Sequence, residues 1–187
     1  FTEVRGSISG HVFVDAGDNG AYDALFDPPL GGIDVTLTGT DVLGNIITPI
    51  TIQTQADGSY LFPDLLAGTY TVTEGPVANY ADGKDGLGSS GGTLGNDVLS
   101  AIPLAGGVDA VNYDFGERPA ASISGNVSAE RANGSSVVVP GVTITLTGTD
   151  VVGNPVSLTT TTDALGNYSF DSLIAGTGLT VMTGPNG

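Results

Sequence analysis

The feature that most constrains the fold is an internal repeat. Three blocks occur twice and in the same order: ISGHV at 8–12 and ISGNV at 123–127, GGIDVTLTGTDVLGN at 31–45 and PGVTITLTGTDVVGN at 140–154, and ADGSYLFPDLLAGTYTVTEGP at 56–76 and ALGNYSFDSLIAGTGLTVMTGP at 164–185. Ordered repetition of this kind indicates a duplicated structural unit. The sequence predicts one unit at 7–118 and a second at 119–187, and residues 1–6 resemble the end of a preceding unit.

Each unit shows the alternation of a half-buried strand. Ile33, Val35 and Leu37 alternate with polar residues, and the copy at 142–147 alternates in the same way. A period of two is typical of a strand with one face on a core and the other in water. Asp57-Gly58 and Leu165-Gly166 are predicted hairpin turns. With thirty glycines and ten prolines, the pattern predicts all-β units, each a sandwich of short strands.

The two units are unequal in length. The first continues through a glycine-rich segment, 80–117, that ends in YDFGE, and the second has no equivalent of it. The second sandwich is therefore predicted to be incomplete at its C-terminus, with an open edge that accepts a strand from another chain. Residues 1–5 are the candidate donor in a head-to-tail contact. The alternative is that they are frayed.

The charge of the chain excludes several classes of function. Twenty acidic and four basic residues give a net charge of −16, which disfavours nucleic acid and anionic membranes and favours divalent cations. One histidine and no cysteine exclude an ordinary zinc site. His11 is predicted on the polar face of the first strand, and no nucleophile motif accompanies it, so the chain is not expected to be an enzyme.

A cluster of acidic residues follows the first predicted strand. Asp15, Asn19, Asp23 and Asp27, with Asp18 nearby, resemble the ligand spacing of an EF-hand loop, with Gly20 at the turn. Position 3 of that pattern is Gly17, and the last acid comes one residue late. The corresponding segment of the second unit, 126–141, contains no aspartate, as expected if the acids bind Ca²⁺. The alternative is a solvated acidic turn.

The order of these blocks resembles the B-type repeat of bacterial serine-aspartate-repeat surface adhesins and, more widely, collagen-adhesin B-type domains. The resemblance covers 8–117 and, less completely, 122–185. It implies an immunoglobulin-like or transthyretin-like sandwich, calcium binding and a role in extracellular stalks. It also implies that Asp64 lies near the acidic loop, although Asp64 could equally be a turn former.

A second cation site is predicted in the segment 80–97. Its candidate ligands are Asp82, Asp85, Asn96 and Asp97. The alternative is a flexible surface loop.

Many relatives of this type contain a Lys–Asn isopeptide bond promoted by a buried acid. Glu74 matches the position of that acid, but the first strand has no lysine, and Lys84 is the sole lysine of the chain. Neither unit is expected to form the bond.

The sequence thus predicts spacer repeats of a large adhesin, secreted or displayed on the bacterial cell surface, with the first unit stabilised by Ca²⁺. The predicted partners are neighbouring repeats, and the chain is expected to be a monomer with possible head-to-tail contacts. The competing hypothesis is a module that binds a host protein or glycan. A glycan-binding module usually displays an aromatic platform, whereas most aromatic residues here fall at predicted core positions.

Overall fold

The structure, a computed structural model, describes residues 4–150, 153–174 and 176–184. The regular elements of these residues are all β strands, which confirms the all-β prediction. The chain divides into two compact units, 1–118 and 119–187. No helix within the described residues has the length and apolar character needed to cross a membrane.

Unit 1 forms two sheets. Its strands are β1 (Gly6–Val14), β2 (Asp34–Asp41), β3 (Ile46–Gln53), β4 (Ser59–Leu65), β5 (Gly68–Glu74), β6 (Tyr80–Asp82), β7 (Thr93–Gly95), β8 (Val98–Leu104), β9 (Asp109–Ala110) and β10 (Phe115–Pro119). One sheet has the order β4-β1-β10-β6, with β9 also paired to β1, and the other has the order β3-β2-β5-β8-β7. Since β1 is antiparallel to β4 and parallel to β9 and β10, the first sheet is mixed.

Side chains from both sheets meet in one core. In β2, Val35 and Leu37 are fully buried, whereas Thr36 and Thr38 are only partly buried. The buried apolar side chains are Ile8, Val12, Val35, Leu37, Tyr60, Phe62, Leu65, Tyr70, Val72, Leu99, Ile102, Leu104, Ala110, Tyr113 and Phe115. Burial of each large member stabilises the fold by about 1.5–3 kcal/mol relative to exposure.

The turn at Asp57-Gly58 has a different role from the predicted one. Strands β3 and β4 belong to different sheets, so the turn connects the sheets and does not close a hairpin. Gly58 has a φ of 76°, in the left-handed region that glycine adopts without steric cost. The prediction of a turn is confirmed and that of a hairpin is wrong, because alternation within a strand does not reveal its pairing partner.

Unit 2 repeats part of this arrangement. Its strands are β11 (Ala121–Asn126), β12 (Ser128–Glu130), β13 (Ser136–Val138), β14 (Thr143–Asp150), β15 (Pro155–Thr161), β16 (Asn167–Leu173) and β17 (Gly176–Thr183). They form a sheet of order β15-β14-β17 and the pairs β11-β16 and β12-β13. Among the described residues, the buried core consists of Val142, Ile144, Leu146, Phe170 and Leu173.

The far edge of β17 differs from its counterpart in unit 1. β17 corresponds in sequence to β5, which pairs with both β2 and β8. Among the described residues, β17 pairs with β14 alone. Strand addition at this edge stays a prediction. Most of its proposed donor, residues 1–3, lies outside the described residues.

Candidate metal centre

The negative charge of the chain is concentrated in unit 1. Unit 2 contains four acidic residues (Glu130, Asp150, Asp163 and Asp171), and so sixteen of the twenty acids precede Pro119. Several of these sixteen are buried or half-buried near the end of β1. Such an arrangement is stable only if protons, cations or hydrogen bonds offset the repulsion.

Five acidic side chains form what we call the carboxylate cluster. Glu74 ends β5, Asp82 ends β6, Asp85 follows β6, Asp97 lies between β7 and β8, and Glu117 lies in β10. Carboxylate oxygens of Glu74, Asp97 and Glu117 lie within 4.8 Å of one another, and so do those of Asp82, Asp85 and Asp97. Asp97 therefore belongs to both groups.

Backbone contacts hold the cluster together. Glu74 N donates to Asp97 O at 2.9 Å, which ties the end of β5 to the turn before β8. Asp85 accepts from Asp97 N at 3.0 Å and from Gly116 N at 3.3 Å. Asp97 has a φ of 53°, a conformation that aspartate tolerates better than most residues. These contacts bring together residues that are distant in sequence.

Burial shifts the acid–base behaviour of the cluster strongly. Loss of hydration, followed by repulsion from Glu117 and Asp97, raises the pKa of Glu74 to about 9. Burial followed by repulsion from Asp82 raises the pKa of Glu117 to about 8. Burial is also the main cause that raises the pKa of Asp82 to about 7 and that of Asp85 to about 6. At neutral pH without a metal, Glu74 and Glu117 therefore retain their protons.

Unpartnered atoms show what the cluster lacks. Among the described residues, the buried side-chain atoms without a hydrogen-bond partner are Asp15 Oδ1, Glu74 Oε1, Asp82 Oδ1 and Arg118 Nη1. Three of the four are carboxylate oxygens, two of them in the cluster. An unsatisfied buried polar atom costs about 1–3 kcal/mol, and a cation in the cluster would satisfy the oxygens of Glu74 and Asp82.

The donor set fits a hard divalent cation. Calcium takes six to eight oxygen ligands at about 2.3–2.6 Å, so opposite ligands are roughly 5 Å apart. The ligand atoms that the cluster offers are all carboxylate oxygens, and within each group of three they lie within 4.8 Å of one another. An open depression of about 500 Å³ leads from solvent to Asp85 of the cluster, and it is lined in part by Asn19, Lys84, Asp85 and Asn96.

The loop between β1 and β2 is held together differently. Asp15 and Asp27 are buried, at 2% and 4% exposure. Asp15 Oδ2 accepts from Gly20 N at 2.8 Å, and the two oxygens of Asp27 accept from Ala16 N and Asp23 N at 3.1 and 2.9 Å. Among the described residues, two sets of three acids have carboxylate oxygens within 4.8 Å of one another, and neither set contains Asp15, Asp23 or Asp27.

The other predicted members of this loop also have protein partners. The carboxylate of Asp18 lies 3.4 Å from Lys84 Nζ and 3.7 Å from an Arg118 guanidinium nitrogen. The fold thus places two basic side chains, both distant from Asp18 in sequence, beside its carboxylate. Asn19 Oδ1 accepts from Ala21 N, and Asp23 Oδ1 accepts from Leu25 N, both of which stabilise local turns.

Asp64 does not lie near the acidic loop. Leu65 pairs with Gly6 at the beginning of β1, whereas Asp15 follows the end of that strand. Nine strand residues separate these ends, a distance of roughly 30 Å. The exposed Asp64 instead contacts Arg5, whose guanidinium donates to Asp64 O at 2.7 Å. The predicted proximity is wrong because β1 and β4 are antiparallel.

Sequence reasoning missed Glu74 and Glu117 as members of a candidate site. Tyr70 and Val72 point into the core, and the alternation continues to Glu74, which is 6% exposed. Glu117 is 5% exposed in β10. The sequence did offer one signal for Glu74, which is an acid at a position where the alternation predicts a buried apolar side chain. Asn96 is exposed and donates to Asp97 Oδ2 at 3.2 Å.

His11 is only partly exposed. Its ring stacks on Tyr22 with centroids 4.2 Å apart, and its Nδ1 lies 3.6 Å from Asp114 Oδ1. His11 N also donates to that oxygen at 2.9 Å. The stacking attaches the β1–β2 loop to β1, and the contacts with Asp114 attach β1 to the segment before β10.

Comparison with known proteins gives a consistent family. A family model described as the SdrD B-like domain matches residues 6–101. Colossin-A of Dictyostelium discoideum is 32% identical over 96% of this chain and 2% of its own length. Serine-aspartate repeat-containing protein F of Staphylococcus epidermidis is 30% identical over 97% of this chain and 11% of its length. Protein D of Staphylococcus aureus, strain Newman, is 30% identical over 96% and 14%, respectively.

Solved structures include two similar pilins. The minor pilin GBS52 of Streptococcus agalactiae has a TM-score of 0.45 and 12% identity, over 95% of this chain and 90% of its own. A streptococcal ancillary pilin has a TM-score of 0.44 and 15% identity, over 98% and 60%. The chain spans only a small part of the curated relatives, 2–14% of their lengths. Since the family model matches more than half of its residues, the chain belongs to the SdrD B-like domain family.

Proposed function

We propose that the chain is a calcium-stabilised spacer segment of a large adhesin at the bacterial cell surface. The observation that carries the proposal is the carboxylate cluster, in which buried and half-buried acids from five parts of unit 1 converge and two carboxylate oxygens lack a hydrogen-bond partner. Membership of a family shared with serine-aspartate repeat proteins supports the extracellular setting.

The cluster would act by connecting the two sheets. Asp82 and Glu117 belong to the sheet of β1, whereas Glu74 belongs to the other sheet, next to Asp97. A cation that these side chains bind together would oppose separation of the sheets at that end. A ligand that binds only the folded state stabilises it by about 2.7 kcal/mol at a hundredfold excess over its Kd.

The spacer role follows from where such stabilisation is available. Calcium sites of extracellular modules bind in the range of about 10⁻⁴–10⁻³ M, close to extracellular calcium levels. Unit 1 would be stiff outside the cell and less stable where calcium is scarce. The excess of acids would also keep neighbouring chains apart.

Hydrogen exchange on the whole chain, resolved by peptide, tests the proposal. We expect Ca²⁺ to slow exchange in β5, β6, β8 and β10 of unit 1 relative to chelator, and to leave β14–β17 unchanged. Asp97→Asn should remove most of this protection because Asp97 belongs to both ligand groups. Asp34→Asn, at an exposed position of β2, removes the same charge and should behave as the wild type. Equal protection with calcium and with chelator would refute the proposal.

A further inference from the structure

Strand β15 of unit 2 is an open sheet edge. The order β15-β14-β17 places β15 outermost, and no other described residue pairs with its outer side. An open edge exposes a row of backbone N–H and C=O groups that can pair with another strand.

The outward-pointing groups can be identified from the hydrogen bonds at the end of the strand. Thr162 N donates to Val142 O, and Thr162 O accepts from Gly141 N. The backbone groups of Thr162 therefore face the segment that leads into β14, on the inner side of β15. Successive residues of an antiparallel strand direct these groups to opposite sides. The backbone groups of Ser157, Thr159 and Thr161 therefore face the open edge.

Unit 1 protects the middle of the corresponding edge, whereas the proline of β15, Pro155, lies at the beginning of the strand and leaves 157–161 open. In β3 the register with β2 shifts between Leu37 and Gly39, a β bulge, and Pro49 lies just before Ile50, the partner of Leu37. Bulges and prolines both block strand addition. β15 pairs with β14 without a shift, and Ser157 lies just before Leu158, the partner of Leu146. Ser157 thus occupies the position of Pro49 and keeps its N–H.

Charge favours an approach through this edge. Residues 153–162 contain no charged side chain, and unit 2 contains only four of the twenty acids. Asp163, which follows, is occupied in its own turn, where Oδ1 accepts from Leu165 N and Asn167 N. Two copies of a chain with a net charge of −16 repel each other least where the acids are fewest.

We propose that β15 pairs antiparallel with β15 of a second copy of this chain. A two-fold axis at Thr159 would place each Thr159 opposite its counterpart and each Ser157 opposite Thr161 of the other copy. The outward groups would then form about six backbone hydrogen bonds, and cross-strand pairs of hydroxyl side chains would add to them. This contact is closed by its symmetry, and it would join two stalks side by side in a weak, reversible dimer.

Sedimentation velocity of the full chain with calcium, from micromolar to millimolar concentration, tests this proposal. We expect the wild type to shift reversibly toward a dimer as concentration rises. Ser157→Pro, which installs the proline of unit 1 and removes an outward N–H, should weaken dimerisation at least about tenfold. The matched control Ser157→Thr keeps the N–H and should dimerise as the wild type.

A second variant keeps the test decisive if Ser157→Pro fails to fold, which circular dichroism would show. Thr159→Lys leaves the backbone intact and places a charge beside the two-fold axis, so it should also weaken dimerisation. A wild type that stays monomeric at millimolar concentration would overturn the proposal. Folded variants that dimerise as tightly as the wild type would also overturn it, because another edge would then carry the contact.

Discussion

Glu74 shows at the scale of one residue how a site is built into a core. The alternation of β5 buries Tyr70 and Val72 and then buries an acid at the next inward position. Burial raises the pKa of this carboxyl to about 9, so that without metal it is neutral near pH 7. In unit 2 the residue that corresponds to Glu74 is Thr183. Thr183 pairs with Ile144 of β14 as Glu74 pairs with Val35 of β2. A strongly perturbed acid among other acids is a candidate functional group.

The first prediction concerns Glu74→Gln. Glutamine resembles the protonated acid, so with chelator near neutral pH we expect the unfolding temperature to remain close to that of the wild type. With calcium, the variant lacks one ligand, and its affinity should fall at least about tenfold, which is about 1.4 kcal/mol. Calcium titration calorimetry combined with thermal unfolding measures both quantities.

Asp34→Asn is the control for Glu74→Gln, because it removes a negative charge from an exposed position of the same unit. Its calcium affinity should change little. If Glu74→Gln binds calcium as tightly as the wild type does, Glu74 is not a ligand.

The second prediction is that neither unit contains an isopeptide bond. The ammonium of Lys84 donates to Asp18 O at 2.9 Å, and its side chain is 57% exposed, far from the dry environment that the reaction needs. The intact mass should equal that of the sequence. A deficit of one ammonia that maps to Lys84 would contradict this expectation.

At the scale of an element, the β1–β2 loop is the clearest difference between the units. In unit 1 it contains Asp15 and Asp27, whose buried carboxylates accept backbone N–H groups of the loop itself. In unit 2 the corresponding segment is the hairpin of β12 and β13, which has no aspartate. The loop is therefore an elaboration of the repeat rather than a requirement of its core.

The third prediction compares two aspartates of this loop. Asp18 is already neutralised by Lys84 and Arg118, whereas Asp23 has no described ion pair and holds a position of the calcium spacing. Asp23→Ala should weaken calcium binding more than Asp18→Ala, as measured by titration calorimetry. The reverse order would show that Asp18, and not Asp23, belongs to a calcium site.

At the scale of the whole molecule, the acids make stability depend on pH. Burial raises the pKa of Asp85, Asp82, Glu117 and Glu74 to about 6, 7, 8 and 9, from ordinary values of 3.8 for aspartate and 4.5 for glutamate. Each group therefore binds its proton more tightly in the folded state. The resulting stabilisation is complete below the ordinary pKa and is lost as pH rises through the folded-state value.

The fourth prediction follows from this sign. With chelator, the free energy of unfolding of unit 1 should fall as pH rises from about 4.5 to about 9, and excess calcium should reduce or reverse the fall, because the metal binds the ionised carboxylates. Denaturant unfolding monitored by hydrogen exchange in unit 1 peptides measures it. Stability that rises with pH in chelator would contradict the assignment of buried, protonated acids.

The sequence by itself determined the all-β class, the alternation of β2 and β14, and the glycine-dependent turns, because period-two patterns and backbone preferences act over a few residues. It also indicated that Asp82, Asp85 and Asp97 are candidate ligands. Only the tertiary structure decided which acids meet. Strand order brings Glu74 and Glu117 to these aspartates and carries Asp64 to the other end of β1. Pairing of distant strands depends on the packing of the whole core, which no local pattern encodes.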